Sequence, residues 1–336
     1  MLGTTGVRVS SICLGTAFRG RARKRRTDAD CAATIERAFE LGINFLDCAN
    51  TYSGGWSEEL IGSSVKRLGI RDTMVITTKV GMGGEEPPIQ RGLSRMNILL
   101  EIERSLRRLQ TDYVDLYMIH LPDLTTPLDE TLRAMDSVVR QGKARYVGVS
   151  NHRAHEVVEL LWAADRGNIA SPAVLEYQYS LMQRWEIERQ IVPLCHSHGL
   201  GLVTYSPLAI GLLTGQIRRS QAIPPENYWY ERKGSDRVLE RAEPVVEALD
   251  VVARDLGKTP SQVALAWILA NSAVSAPIVG PDLPEQLDEL VGAVGWNIPE
   301  ESKTALDEAS AGGGPFEMVD TTRRAFRRRG SRLDTP

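Results

Sequence analysis

The chain has 336 residues, a formal net charge of −3 at pH 7 and 42% hydrophobic residues. That balance is ordinary for a globular protein and gives no reason to expect nucleic acid as a partner. Cys13, Cys31, Cys48 and Cys195 are scattered with no CxxC pair, which argues for reduced thiols and a cytoplasmic setting over a disulfide framework.

In chain order, residues 2–10 predict a short hairpin with glycine at its turn. Residues 1–15 lack the basic start and apolar run of a secretion signal. Strand-like runs follow at 11–14, 43–47, 74–79, 114–120, 146–150, 174–177, 201–205 and 277–279, with helical patterns between them. Residues 28–41 keep Ala, Ile and Phe on one face and stop at Gly42. Residues 97–109 carry Ile98, Ile102, Leu106 and Leu109 at helical spacing, residues 128–140 stop before Gln141-Gly142, and residues 260–270 follow a Thr-Pro start. No run of about 18 apolar residues is present to span a membrane.

Strands alternating with helices predict an α/β protein with a parallel sheet. Eight of them favour a closed (β/α)₈ TIM barrel, here over residues 1–311, against an open doubly wound sheet. Two segments break the rhythm: a basic loop at 19–26, and a long loop at 215–241 rich in Pro, Tyr, Trp and Arg. The second follows the seventh strand, at the mouth where barrel enzymes build their sites, so it is a lid or clamp candidate. Residues 312–336 begin Gly-Gly-Gly-Pro, end rich in Arg and read as an appended tail.

Asp47, Lys79 and His120 each close an apolar run, and Tyr52 lies in the loop after the first. If those runs are parallel strands of one barrel, all four side chains crowd one mouth. Tyr is a proton donor suited to a carbonyl becoming an alcohol, but its free pKa is near 10. A neighbouring Lys79 ammonium, held by Asp47, is expected to lower it by roughly two or three units. His120 can hydrogen-bond the carbonyl oxygen. Such a set lacks a reductant, so the hydride must come from a bound cofactor, and a nicotinamide is expected. Each residue alone has a plainer explanation as a helix cap, a solvated lysine, a satisfied histidine or packing; four at matching strand ends do not. His152-x-x-His155 and His196-x-His198 lack partner ligands, and no metal is expected.

Several long motifs, in order from about residue 2 to 294, resemble the aldo-keto reductase family. Leu41-Gly42-Ile43-Asn44-Phe45-Leu46-Asp47-Cys48-Ala49-Asn50-Thr51-Tyr52 followed by Trp56-Ser57-Glu58-Glu59 is similar to its first signature, and His120-Leu121-Pro122-Asp123 to its His-x-Pro-Asp segment. Gly142-Lys143-Ala144-Arg145-Tyr146-Val147-Gly148-Val149-Ser150-Asn151 and Thr204-Tyr205-Ser206-Pro207-Leu208-Ala209-Ile210-Gly211-Leu212-Leu213-Thr214-Gly215 are equally close.

The resemblance implies a barrel with Tyr52 as acid, Lys79 and Asp47 as its tuning pair, and His120 in the carbonyl pocket. It implies NAD(P)(H) across the mouth. Ser150, Asn151 and Gln178 would hold the carboxamide, Tyr205 would stack on the nicotinamide, and Gly15 and Thr16 would lie beside it. Ser206, Pro207 and Leu208 would lie near the pyrophosphate, with Gly211, Gly280, Asp282 and Gln286 completing the cofactor set. No Rossmann fingerprint is present, and none is expected for this fold.

The sequence departs from the family at the adenosine end. Asp282 stands where many members carry a cationic or small hydroxyl residue for the 2′-phosphate of NADP, Gln216 where Lys is frequent, and Leu290 where Asn usually meets adenine. A carboxylate repels phosphate and accepts hydrogen bonds from a ribose diol, so Asp282 suggests NAD(H). Arg218, Arg219, Arg232 or Lys233 could still reach a 2′-phosphate, and Asp282 could equally be the N-cap before Pro284. Phe18, Trp56, Trp185, Trp229 and Tyr230 are candidates to line a pocket for a small carbonyl compound or sugar. The alternatives are an NAD-linked sugar or polyol dehydrogenase, a nicotinamide-binding regulatory subunit, and a Schiff-base lyase using Lys79.

Overall fold

The computed structural model describes residues 1–18, 26–82, 91–221, 223, 228–230 and 235–311. Residues 19–25 of the basic loop, Arg232, Lys233 and the tail at 312–336 lie outside the described residues. Eight strands pair in sequence order, all parallel: β1 (Cys13–Gly15), β2 (Phe45–Asp47), β3 (Val75–Val80), β4 (Val114–Ile119), β5 (Ala144–Ser150), β6 (Pro172–Gln178), β7 (Gly201–Tyr205) and β8 (Val274–Val279). The barrel closes where Cys13 meets Ile278 and Leu14 meets Val279. Around it run α1 (Asp28–Glu40), α2 (Trp56–Leu68), α3 (Arg95–Leu109), α4 (Leu128–Arg140), α5 (Ala154–Gly167), α6 (Val192–His198), α7 (Ser235–Leu256), α8 (Pro260–Leu269), α9 (Pro284–Val291) and α10 (Glu300–Ser310).

Local chemistry starts several helices where the chain pattern expects them. Thr27 caps α1 and is itself capped by Asp30, and Thr259 with Gln262 does the same for α8, whose first residue is Pro260. Side chains alternate along each strand. Phe45, Val75, Met118, Val174 and Val203 therefore fill the lumen, while Leu46, Ile76, Tyr117, Leu175 and Leu202 pack against the helices. The same parity carries Asp47, Lys79, His120, Ser150, Gln178 and Tyr205 to the C-terminal rim of that lumen. His120 lies one residue past β4, and its backbone N–H still donates to Val80 O at 2.8 Å, extending the ladder.

Two expectations change. No strand ladder forms over residues 2–10. Leu2 N–H donates to Val7 O at 3.0 Å, while Thr4 N–H donates to Gly199 O at 2.9 Å. The segment thus ties itself to the turn before β7 and plugs the lower lumen with Leu2. The long loop is also shorter than 215–241, because α7 begins at Ser235. Leu239, Ala242, Val245, Val246 and Leu249 form its buried stripe. The density of Arg and Glu between them disguises the pattern.

Candidate active site

The centre of the site is the ammonium of Lys79, on β3 and 0% exposed. Its Nζ lies 2.5 Å from Asp47 Oδ1, 3.1 Å from Cys48 O, 3.5 Å from Tyr52 Oη and 3.4 Å from Glu176 Oε2. Burial pulls the Lys79 pKa down, but the charges of Asp47 and Glu176 outweigh it and hold the group protonated, well above its ordinary value. The Asp47 carboxyl is raised by burial, against the pull of Lys79.

Tyr52 reaches this centre from a tight turn. Residues Tyr52–Gly55 form a 3₁₀ turn in which Ser53 (φ 50°) and Gly54 (φ 69°) are left-handed. Gly55 (φ 96°) completes it, and a Cβ there would come within 2.7 Å of Arg108 Cδ. The turn places the phenol beside Lys79, with the His120 ring edge-on at 5.8 Å between centroids. One expectation is overturned here: the Tyr52 pKa stands above, not below, its free value. Burial is the larger effect, and the Lys79 charge that pulls it down is shared with two carboxylates. Tyr52 is therefore a protonated phenol at neutral pH. His120 is neutral, because burial and then the Lys79 charge drive its pKa well below the ordinary value.

The neighbouring rim residues are mutually fastened. Tyr205 Oη donates to Asn151 Oδ1 at 2.8 Å, and Asn151 Nδ2 donates to Ser150 Oγ at 2.7 Å and to His120 O at 3.1 Å. Ser150 Oγ donates to Glu176 O at 3.0 Å. Thr16 Oγ1 bonds to Asp47 O at 2.8 Å and to Ser57 Oγ at 2.7 Å, so it braces the strand end that carries Asp47. Gly15 pairs opposite Asp47. Two buried polar atoms in this region have no hydrogen-bond partner, His120 Nδ1 and Gln178 Nε2, and beside them Glu176 Oε2 faces the Lys79 ammonium across 3.4 Å. Donors and acceptors side by side fit the N–H and C=O of a nicotinamide carboxamide. Asn151 (φ 61°), Ser206 (φ 53°), Ala209 (φ 51°) and Ile210 (φ 56°) join Phe18 (φ 41°) and Ser53 as left-handed non-glycine residues in loops at the rim. Such strain collects where function over-determines the backbone.

At the adenosine end, the N-cap of α9 is Leu283, not Asp282, because Pro284 occupies the first helical turn. Gln286 Oε1 accepts from the backbone N–H of Asp282 at 2.6 Å and of Leu283 at 3.2 Å, so its oxygen is committed to the turn. Arg26 Nε donates to Asp282 O at 3.2 Å, which brings a cation to the same place. Arg218 is held by Asp250 at 2.5 Å. Leu290 is buried. Gly211 lies in the 3₁₀ turn Ala209–Thr214 that follows Ser206, Pro207 and Leu208, and Gly280 follows β8.

Of the pocket aromatics, Phe18 and Trp56 pack edge to face at 6.0 Å beside the mouth. Trp185 follows β6 and is 47% exposed, with the Arg189 guanidinium over its ring. Trp229 departs from the expected role: it is 1% exposed and donates from Nε1 to Ile210 O at 3.1 Å. Its ring is core, presenting no open face for stacking. A separate cavity of about 560 Å³, lined by Gly3, Thr4, His196 and Trp296 among others, opens at the opposite end of the barrel, and none of the candidate residues lines it.

The residue that pattern reading overlooks is Glu176. It sits on β6 two positions before Gln178, is 3% exposed, and its carboxyl is pushed up to about 8 by burial and then by the Asp47 charge. Strand parity would have found it, since a glutamate sharing the parity of Val174 and Gln178 must point into the lumen. Glu58, from the first signature, is buried too, but it accepts from Thr78 Oγ1 at 2.6 Å and Arg108 Nε at 2.5 Å and anchors α2 to β3 and α3.

Comparison with known proteins bears on the fold and the family. The family model described as "Aldo/keto reductase family" matches residues 11–311. A protein of Arabidopsis thaliana described as "Probable voltage-gated potassium channel subunit beta" is 35% identical over 300 residues, covering 87% of this chain and 90% of its own length. With a closed eight-stranded barrel and a family match over most of its length, the chain belongs to the aldo/keto reductase family.

Proposed function

We propose that this protein is an NAD(P)(H)-dependent oxidoreductase that interconverts aldehydes or ketones and alcohols, with Tyr52 as general acid and base. The observation that carries the reading is the Lys79 ammonium, 2.5 Å from Asp47 and 3.5 Å from the Tyr52 hydroxyl in a buried pocket. A bound nicotinamide supplies the hydride. Tyr52, protonated in the resting site, gives its proton to the oxygen as the carbonyl becomes an alkoxide. Lys79 stabilises the negative charge that develops on the Tyr52 oxygen, and Asp47 keeps that ammonium placed. Neutral His120 orients the carbonyl oxygen. Gln178, Ser150 and Asn151 would hold the carboxamide, and Tyr205, braced by Asn151, would lie against the ring. In the oxidative direction Tyr52 must first surrender its proton, which its raised pKa opposes.

Asp282 supports a preference for NAD(H), and Arg26 beside it supplies the opposing charge. The relative's name supports a second reading, a nicotinamide-binding regulatory subunit of a channel. A Schiff-base role for Lys79 is disfavoured, since a lysine held as an ammonium between two carboxylates is not a nucleophile. In this reading the protein acts in the cytoplasm on a small carbonyl compound or sugar; no helix among the described residues is long and apolar enough to cross a membrane. The test is a panel of sugars, aldehydes and ketones followed by NADH or NADPH absorbance. Turnover with any of them supports the enzyme. Tight cofactor binding with no turnover across the panel supports the regulator.

A further inference from the structure

The Lys79 centre holds more negative than positive charge. Asp47 from β2 and Glu176 from β6 are both buried, and Lys79 is the single cation between them. Fully ionised, the three groups leave one uncompensated charge in a site with little access to water, which is strongly unfavourable. The two carboxyl groups converge on one ammonium, Asp47 Oδ1 at 2.5 Å and Glu176 Oε2 at 3.4 Å from its nitrogen, and the Asp47 charge pushes the Glu176 carboxyl up. Two carboxyls so placed hold one proton between them and titrate as a pair. The other titratable groups that face Glu176 are Cys13 on β1 and Tyr52. Its lumen-side neighbours on β5 and β7 are Ser150 and Val203. No other cation answers it among the described groups.

We propose that Glu176 is a positioning residue for the reaction: it and Asp47 share one proton in the resting site, and loss of that proton draws the Lys79 charge away from Tyr52 and slows proton transfer. The inference rests on the oxidoreductase reading above. The lost proton goes to solvent, and Glu176 makes no bond to substrate. An ionised Glu176 opposes formation of a negative Tyr52 oxygen and competes for the ammonium that stabilises it. The rate of carbonyl reduction therefore falls as pH rises through the titration of the pair. With that titration near 8, the fall is about tenfold between about pH 7 and pH 9, the span in which one such group passes from mostly neutral to mostly charged.

The test compares the wild type with Glu176→Gln, which keeps the shape and removes the charge, and with Glu176→Asp, which keeps the carboxyl but withdraws it from Lys79. NAD(P)H quenching of Trp fluorescence confirms that each variant is folded. Infrared difference spectra across pH are expected to show a protonated carboxyl band in the wild type that disappears through about pH 8 and is missing in Glu176→Gln. The pH profile of kcat/KM is expected to lose its alkaline fall in both variants. A band that persists in Glu176→Gln, or an alkaline fall unchanged in that variant, overturns the proposal. If no substrate turns over at all, the catalytic reading is what fails, and the infrared titration still decides whether the shared proton exists.

Discussion

Replacing Lys79 with Met separates the two jobs of its charge. At the Lys79–Tyr52 distance of 3.5 Å, a unit charge acting on a developing Tyr52 anion at an effective dielectric of about 20 is worth up to about 5 kcal/mol. Part of that is lost to reorganisation, so the expected fall in kcat for carbonyl reduction is roughly 10²- to 10³-fold. The same substitution leaves Asp47 and Glu176 facing each other without a cation, and breaking a buried pair in this way costs about 3–5 kcal/mol of stability. That cost depends on pH. Both carboxyls already titrate above their ordinary values, and without Lys79 they rise further. A folded-state carboxyl raised above its unfolded value keeps its stability below the unfolded pKa and loses it as pH rises through the folded one. Lys79→Met is therefore expected to unfold at nearly the same denaturant concentration as the wild type at about pH 4 and to fall behind it progressively toward about pH 8. Chemical denaturation across pH, with initial rates on the same preparations, measures both effects. A variant within tenfold of wild-type kcat, or one whose stability deficit is the same at both ends of that range, refutes the reasoning.

Two further outcomes follow from the geometry. Gly62 on α2 lies against α3, and a Cβ there would come within 2.5 Å of the Leu109 backbone. Gly62→Ala is expected to destabilise the fold by about 1–3 kcal/mol, despite its better helix propensity, and thermal unfolding reads it directly. Asp282→Ser removes the carboxylate while leaving Arg26 in place. It is expected to tighten NADPH about tenfold relative to NADH, and equal changes for both cofactors would remove Asp282 from the discrimination.

The barrel is legible because its strands are short apolar runs bounded by glycines and caps. Asp47, Lys79 and His120 are visible because each polar side chain ends such a run. Glu176 stays hidden because it stands inside one, in Val174-Leu175-Glu176-Tyr177-Gln178, where only the alternation of faces reveals that it points inward. The pKa of Tyr52 is not legible either. Its sign is set first by burial and then by the balance between Lys79 and the carboxylates around it, which only the folded chain displays. Helix α7 escapes notice because charged residues separate its apolar stripe, and Trp229 reads as a mouth aromatic until burial by the turn at Ile210 makes it core. The roles of Asp282 and Gln286 depend on which residue caps α9, and Pro284 moves that position to Leu283.

The central claim is that Tyr52 exchanges the proton while a nicotinamide exchanges the hydride. Tyr52→Phe removes one oxygen and leaves Lys79, Asp47 and His120 in place. On any carbonyl substrate that the wild type reduces, the account predicts that kcat falls by about 10³-fold or more, while NAD(P)H dissociation constants stay within about twofold. Turnover by Tyr52→Phe at near the wild-type rate would contradict it.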